Sequence, residues 1–192
     1  GSGTALLSWF HNTWTSDYLP TDGFASMAGV RLPFDPIAEA RRNWDAHEWG
    51  ATNQMATATA ITRAHQILLR RINTALEPLG LTFSRFEALA LLWFSRKGSL
   101  PLGKVGDRLQ VHPTSVTNTV DRLEADGLVD RIPHPTDRRT TLARITPAGR
   151  RRVVKAADAL AEIGFGLDGM SPADLARAEG ALVDLRREAG DF

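Results

Sequence analysis

Two short helices separated by a three-residue turn are predicted between residues 102 and 127, and this pair constrains the fold more than any other feature of the sequence. In the first helix, Leu102, Val105 and Leu109 share one face. Pro113 suits the first turn of the second helix, and Gly127 follows its end. Two helices joined by so tight a turn form a helix-turn-helix, whose second helix can lie in the major groove of DNA.

A strand-like pattern replaces the helical one immediately after this pair. Residues 128–132 and 140–145 are typical of strands, and residues 133–139 between them are rich in proline and charge. We therefore expect a hairpin, or wing, directly after the second helix. The predicted fold class is mainly α with a small two-stranded β wing, which makes it a winged helix-turn-helix.

Longer helices are predicted on both sides of this middle section. Asp35 and Pro36 supply a cap and a first-turn proline, while Ser84 and Glu87 have the spacing of a capping box. These signals and the apolar periodicity predict helices at residues 36–49, 53–77, 84–93, 147–165 and 172–189.

Residues 1–34 differ from the rest of the chain and are interpreted as an N-terminal extension. Its aromatic residues follow no clear period, and its first three residues are typical of a cloning remnant. Met27 is the expected natural start. Residues 35–192 are therefore treated as a single domain.

Several classes of function and site are excluded by composition and motif content. The chain has no cysteine, which excludes disulfides, thiolate zinc sites and cysteine nucleophiles. Its longest apolar run, residues 88–94, is far shorter than the ~20 residues that cross a membrane. Neither a nucleophile elbow, a phosphate-binding loop nor a metal motif is present, so we expect no enzyme, no cofactor and no metal site. Because no secretion signal is visible, the expected compartment is the cytoplasm.

Positive charge is concentrated around the helix-turn-helix. The whole chain carries +1, whereas residues 101–152 contain ten Lys or Arg against six Asp or Glu, a local charge of +4. A basic segment in a nearly neutral chain indicates either a solvated face or a surface for an anionic partner.

The second helix of the pair presents a polar face of the kind that reads DNA. Helical geometry places Val116, Val120 and Leu123 on the buried side. Asparagine can pair with adenine, threonine methyls can meet thymine, and hydroxyls can hold phosphates. An ordinary helical hairpin with a polar solvent face is the alternative. The candidate DNA-binding residues of this helix are Thr114, Ser115, Thr117, Asn118 and Arg122, with Asp121 on the same side.

The tip of the predicted wing carries two arginines, Arg138 and Arg139, preceded by Asp137. Arginine at such a tip can enter a narrow minor groove, where the negative potential is concentrated. A charged hairpin tip can also serve solubility alone. Its position directly after a helix-turn-helix favours a DNA contact for both arginines.

The order of these motifs resembles the MarR family of winged helix-turn-helix transcriptional regulators. The resemblance covers roughly residues 37–190. Its specific motifs are LTFSRFE at 81–87, HPTSVTNTVDRLE at 112–124, GLV at 127–129, DRR at 137–139 and LARITPAG at 142–149.

The resemblance implies a homodimer that binds a pseudo-palindromic operator in double-stranded DNA, most simply as a repressor. Residues 35–79 and 147–190 would be its dimerisation helices, and residues 81–146 its DNA-binding lobe. The resemblance also implies a pocket for a small molecule between the dimerisation helices and each lobe. Two alternatives stay open: a MarR-type regulator that responds to metal or pH, and a winged-helix module that binds protein.

The additional first helix, with Arg41-Arg42-Asn43-Trp44, is similar to the urate-responsive PecS/HucR branch and more closely to the trans-aconitate methyltransferase regulators. Trp44 and Glu87 fit two pocket positions of the urate branch, whereas the third, an arginine in the recognition helix, corresponds to Thr119. Loss of that cation removes the partner of an anionic purine. We therefore favour a small carboxylate over urate as the effector.

Three further residues are candidates for the effector pocket. His65 falls on the apolar stripe of the predicted helix at residues 53–77. A histidine at such a position is either a core or interface residue or a ligand sensor. Arg63 lies nearby as an anion partner, and His47 lies on the first helix. The predicted ligand-binding set is therefore Trp44, His47, Arg63, His65, Glu87 and Thr119, and core packing is the alternative role of Trp44.

Overall fold

A computed structural model describes residues 32–137 and 139–192 of the chain. The described residues divide into two compact units, of which the first ends at Ala56 and the second begins at Thr57. Most of the predicted N-terminal extension, including Met27, and the wing residue Arg138 lie outside the described residues.

Seven α-helices and two short 3₁₀ helices are present in the described part of the chain. The 3₁₀ helices are Glu77–Leu79 and Gly164–Gly166. The α-helices are α1 Pro36–Ala46, α2 Thr52–Leu76, α3 Phe83–Phe94, α4 Leu102–Leu109, α5 Pro113–Ala125, α6 Pro147–Glu162 and α7 Pro172–Glu188. None of these helices is both long enough and apolar enough to span a membrane.

The small sheet has three antiparallel strands, so the prediction of a two-stranded wing is incomplete. Strand β1 is Ser99–Pro101, β2 is Val129–Pro133 and β3 is Thr141–Ile145, in the spatial order β1-β3-β2. Both outer strands pair with β3. Strand β1 has only three residues and ends in proline, so it shows no alternating pattern that the sequence could reveal. Proline is tolerated in β1 because this strand lies at the edge of the sheet.

Local contacts and backbone angles explain why three helix boundaries differ from the predicted ones. Helix α1 ends at Ala46 rather than near residue 49, because Glu48 has a positive φ of 54°. Helix α3 begins one residue before Ser84, because Thr82 is its N-cap and accepts a hydrogen bond from the backbone N–H of Arg85 at 3.4 Å. The predicted capping box of Ser84 and Glu87 is therefore wrong. Helix α6 ends at Glu162 rather than near residue 165, because Gly164 and Phe165 have positive φ values of 52° and 53°.

The second unit has one apolar core, into which the helix-turn-helix is built. Helix α3 lies at its centre and contacts both α5 and α6. The largest fully buried side chains include Leu76, Leu89, Leu92, Leu123 and Leu160. Each leucine buried in this way contributes roughly 1.5–3 kcal/mol to folding. Because Leu123 belongs to α5, the same core that stabilises the unit also fixes the recognition helix.

The two helices of the helix-turn-helix cross closely at Gly106. A Cβ atom there would lie 3.2 Å from Cγ2 of Val116 and 3.4 Å from the carbonyl oxygen of Val111. At the end of α4, Gln110 adopts a left-handed conformation with φ of 51° and turns the chain toward α5. The predicted tight turn therefore depends on a small residue in α4 as well as on the turn itself.

Candidate nucleic-acid interface

Helix α5 begins at Pro113 after an N-terminal cap supplied by a histidine ring. Nδ1 of His112 accepts a hydrogen bond from the backbone N–H of Thr114 at 3.2 Å. An N-cap side chain satisfies one of the N–H groups that the first turn of a helix leaves without a partner. The start of α5 is therefore fixed by the residue that directly precedes it.

The α5 side chains predicted to bind DNA are all on its exposed side. They are exposed because Val116, Val120 and Leu123 occupy the opposite face and are buried in the core. Asparagine and arginine can form paired hydrogen bonds with base edges, and hydroxyls can bind phosphates. The exposed residues are Thr114, Ser115, Thr117, Asn118 and Arg122.

Asp121, assigned by sequence to the same polar face, is paired with an arginine of strand β2. Arg131 Nη1 forms ion pairs with Asp121 and, at 2.8 Å, with Oε2 of Glu124. The neighbouring carboxyl groups raise the pKa of Arg131 against the opposing effect of its desolvation. Asp121 is therefore part of a helix-to-sheet contact, and sequence reasoning does not find Arg131 because its partners lie on another element.

Two polar side chains hold the wing turn between β2 and β3. Nδ1 of His134 accepts from the backbone N–H of Asp137 at 3.2 Å. Asp137 accepts from the hydroxyl of Thr140 at 2.6 Å and from the backbone N–H of Arg139 at 3.0 Å. The Thr140 hydroxyl and, next, the Arg139 N–H lower the pKa of Asp137, so the carboxylate that organises the turn stays ionised. Arg139 itself is exposed at the wing tip.

Part of the basic excess of residues 101–152 serves contacts within the chain. Arg150 lies over the ring of Trp93, with Cζ 5.4 Å from the ring centroid. Arg152 donates to the carbonyl oxygen of Leu79, and Arg144 pairs with Asp130 at 2.8 Å. The local charge therefore overstates the number of cations that face a partner.

Two of the predicted ligand-binding residues lie close together in the first unit. Nε1 of Trp44 donates to the carbonyl oxygen of Gly50 at 2.6 Å. The rings of Trp44 and His47 both contact Trp49, at centroid distances of 4.9 and 5.0 Å. These contacts give Trp44 a role in closing the turn after α1, which agrees with a packing role for this side chain.

The other four predicted ligand-binding residues lie on three helices of the second unit. Arg63 and His65 are exposed on α2, although the periodicity assigns His65 to an apolar stripe. Glu87 of α3 and Thr119 of α5 are half-buried. Burial raises the pKa of Glu87, because the surrounding protein solvates its charge less well than water does.

A shallow cleft of about 460 Å³ in the second unit involves none of the predicted ligand-binding residues. Residues of α2, of the following loop and of α3 line the cleft: Arg70, Asn73, Thr74, Glu77, Gly80, Leu81, Thr82 and Arg85.

Within the part of the chain that the structure describes, no cluster of three or more His, Asp or Glu side chains could hold a metal ion.

Comparison with known proteins gives consistent matches over this region. The model of the MarR family matches residues 81–141. The HTH-type transcriptional regulator MhqR of Bacillus subtilis is 37% identical over 89 residues, which are 46% of this chain and 60% of MhqR. The match thus spans less than two thirds of that relative's length.

Solved structures extend the similarity beyond the matched motif. Sco5413 of Streptomyces coelicolor, a MarR family transcriptional regulator, is 48% identical, with a TM-score of 0.70 over 74% of this chain and 99% of that one. CouR of Rhodococcus jostii RHA1, solved bound to p-coumaroyl-CoA, is 26% identical, with a TM-score of 0.59 over 67% of this chain and 90% of that one. None of the relatives named here belongs by its name to the predicted PecS/HucR branch, so that assignment is not confirmed.

Proposed function

The chain belongs to the MarR family of transcriptional regulators, and we propose that it is a ligand-responsive homodimeric repressor. In this proposal, α5 enters the major groove of a pseudo-palindromic operator and the wing arginines enter the adjacent minor groove. A small anionic metabolite, preferably a carboxylate, releases the DNA. The named relatives are transcriptional regulators and not enzymes, which agrees with the exclusion of catalysis.

The exposed polar face of α5 beside an exposed arginine at the wing tip carries the DNA-binding part of this proposal. Asn118 and Arg122 lie about one helical turn apart on the same exposed side, and both have side chains suited to base edges. Asp137 fixes the backbone of the turn from which Arg139 projects. Helix α5 is thus suited to the major groove, and the wing to the minor groove.

Helix α7 supports the dimeric part of the proposal. No residue of α7 is buried within the chain, and Leu175, Leu182 and Leu185 are exposed. Their spacing of seven and three residues, with Ala178 between them, places them along one side of the helix. An apolar stripe of this kind is typical of a helix that packs against a partner. We assign residues 35–79 and 147–190 to dimerisation and residues 81–146 to the DNA-binding lobe.

Release by a ligand would act through the spacing of the two lobes. A dimer that occupies two successive major grooves holds its recognition helices about 34–36 Å apart. A ligand shifts the dimer away from that spacing only as far as it binds the other state more tightly. Glu87 and Thr119 are half-buried on α3 and α5, where a bound carboxylate would change the position of the recognition helix. Trp44, His47, Arg63 and His65 are the further proposed ligand contacts.

Replacing Arg139 by Ala tests the wing contact. Loss of one phosphate-facing cation should weaken operator binding and reduce the slope of log affinity against log salt by about one. Fluorescence anisotropy at a series of salt concentrations measures both quantities. Arg177→Ala is the control. It also removes one positive charge, but from α7, outside the proposed DNA-binding lobe, and should leave the slope unchanged. Equal slopes for Arg139→Ala and the wild type would contradict the wing contact.

A further inference from the structure

We propose that Arg131 is a positioning residue for DNA recognition: it binds two carboxylates of the recognition helix, offsets one of their two negative charges and holds that helix against β2. The inference rests on the proposed DNA-binding function and adds a residue that is not on the reading surface. Asp121 and Glu124 are the two carboxylates.

The side chain of Arg131 contacts α5 at three successive turns. Nη1 pairs with Asp121 and with Glu124, in the second case at 2.8 Å, and Nη2 donates to the carbonyl oxygen of Thr117 at 3.5 Å. The backbone N–H of Arg131 also donates to Oε1 of Glu124 at 3.2 Å. Glu124 therefore binds both the side chain and the backbone of one β2 residue.

This arrangement fixes the rotation of α5 about its own axis. Thr117, whose carbonyl oxygen accepts from Arg131, lies beside Asn118 in the middle of the reading face. A helix anchored at residues 117, 121 and 124, along one border of the reading face, presents Asn118 and Arg122 in one orientation. A displacement of about 1 Å is enough to weaken paired hydrogen bonds to a base edge, because these bonds have narrow limits of distance and angle.

The same contacts also correct the electrostatics of the interface. Asp121 and Glu124 are 51% and 41% exposed, so without a cation both would repel phosphates near α5. Arg131 is 25% exposed, less than either carboxylate that it pairs with. Its single positive charge therefore offsets one of their two negative charges.

An arginine suits this role better than a lysine. The planar guanidinium presents several donors in a fixed fork, whereas an ammonium group is a single flexible point charge. Asp121, Glu124 and the carbonyl of Thr117 require donors in different directions at the same time. Arg131→Lys should therefore keep the positive charge beside Asp121 and Glu124 but align α5 less well against β2.

The Arg131→Gln variant tests the proposal on a duplex that the wild-type protein enriches from a random-sequence pool. Its affinity for that duplex should fall on the order of tenfold, as is common when one member of a charged network is removed. Affinity for an unselected duplex should fall less, because misalignment affects base contacts most. Arg144→Gln is the matched control, since it removes an arginine paired with Asp130 on the neighbouring strand.

A triple variant separates positioning from direct contact. Adding Asp121→Asn and Glu124→Gln to Arg131→Gln removes the uncompensated charges and should restore affinity for the unselected duplex, while the ratio of selected to unselected affinity stays low because the contact that aligns α5 is still missing. A triple variant that regains no affinity for the unselected duplex would overturn the proposal, because it would mean that Arg131 binds the phosphates itself.

The unfolding temperature and the ratio of selected to unselected affinity separate positioning from simple stabilisation of the fold. If Arg131 only stabilised the fold, Arg131→Gln would unfold at a lower temperature and keep the wild-type ratio, and that result would also overturn the inference. If the wild-type protein enriches no sequence at all, the proposed DNA-binding function fails. If it enriches one and Arg131→Gln binds it equally well, only the role of Arg131 fails.

Discussion

Gly149, in the first turn of α6, has the closest approach to neighbouring atoms among the described glycines. A Cβ atom there would overlap the carbonyl oxygen of Leu128 and lie 2.9 Å from Cγ1 of Ile145. Gly149→Ala should therefore destabilise the protein by about 1–3 kcal/mol, the usual cost of overpacking a core. The midpoint of urea unfolding measures this loss.

Gly180, in the middle of α7, is the matched control for this substitution. No atom lies within 4 Å of the position that its Cβ would occupy. Gly180→Ala should stabilise the helix by up to about 1 kcal/mol, because glycine is a poor helix former. If Gly149→Ala shifts the unfolding midpoint upward as Gly180→Ala does, the close approach at Gly149 does not limit the fold.

Glu87 gives the stability of the protein a specific dependence on pH. Its pKa is raised by burial, so the folded state favours the protonated carboxyl more than the unfolded state does. The ionised side chain therefore opposes folding at pH values above the raised pKa, and this penalty disappears as the pH falls through that value toward 4.5.

Glu87→Gln should consequently be more stable than the wild type at pH 7, and the difference should vanish at acidic pH. Thermal unfolding followed by circular dichroism at both pH values provides the measurement. Glu188→Gln, at the exposed end of α7, is the control and should show no such difference. A Glu87→Gln variant that is less stable than the wild type at neutral pH would contradict this account.

The individual side chains of the interface could be predicted from sequence only in part. The exposed residues of α5 follow from the 100° helical repeat and the apolar positions of Val116, Val120 and Leu123. The pairing of Asp121 with Arg131 does not, because a contact between a helix and a strand depends on how both pack, not on local spacing. The N-cap role of the His112 ring is also invisible in a propensity scale that favours Ser, Thr and Asp.

At the scale of elements, α7 is the helix whose exposed apolar stripe we propose as the dimer interface. Leu182→Glu places a charge on this stripe and should convert the proposed dimer to a monomer, because burying an unpaired carboxylate at an interface is strongly unfavourable. Ala176→Glu adds the same charge about 120° away from Leu182 around the helix and should remain dimeric. Light scattering after size-exclusion chromatography distinguishes the two states. A dimeric Leu182→Glu would remove α7 from the interface.

The elements themselves are predictable where their pattern is long and are hidden where it is short. The seven helices are indicated by apolar periodicity and by proline or glycine at their ends, and α5 agrees closely with its predicted bounds. Strand β1 has three residues and pairs with β3 from a distance in sequence, so no local signal marks it. The predicted end of α6 lies beyond Gly164, whose positive φ of 52° ends the helix, and includes Phe165, whose positive φ of 53° local propensity does not favour.

At the scale of the whole molecule, one core positions the recognition helix and one exposed helix is suited to dimerisation. Leu123 of α5 and Leu160 of α6 are both fully buried in that core. A change in the position of α6 would therefore reach α5 through α3, which contacts both helices. This connection supports a regulator whose DNA affinity depends on how its two copies are arranged.

A hydroxyl-radical footprint on the DNA that flanks the chain's own gene tests the central claim most directly. Our account predicts protection of an inverted repeat whose half-sites are centred about 10 base pairs apart, one turn of the duplex. The protection should be lost when Asn118 and Arg122 are replaced by Ala, and it should weaken on addition of small carboxylates. A protein that is monomeric and protects no fragment in preference to random competitor DNA would contradict it.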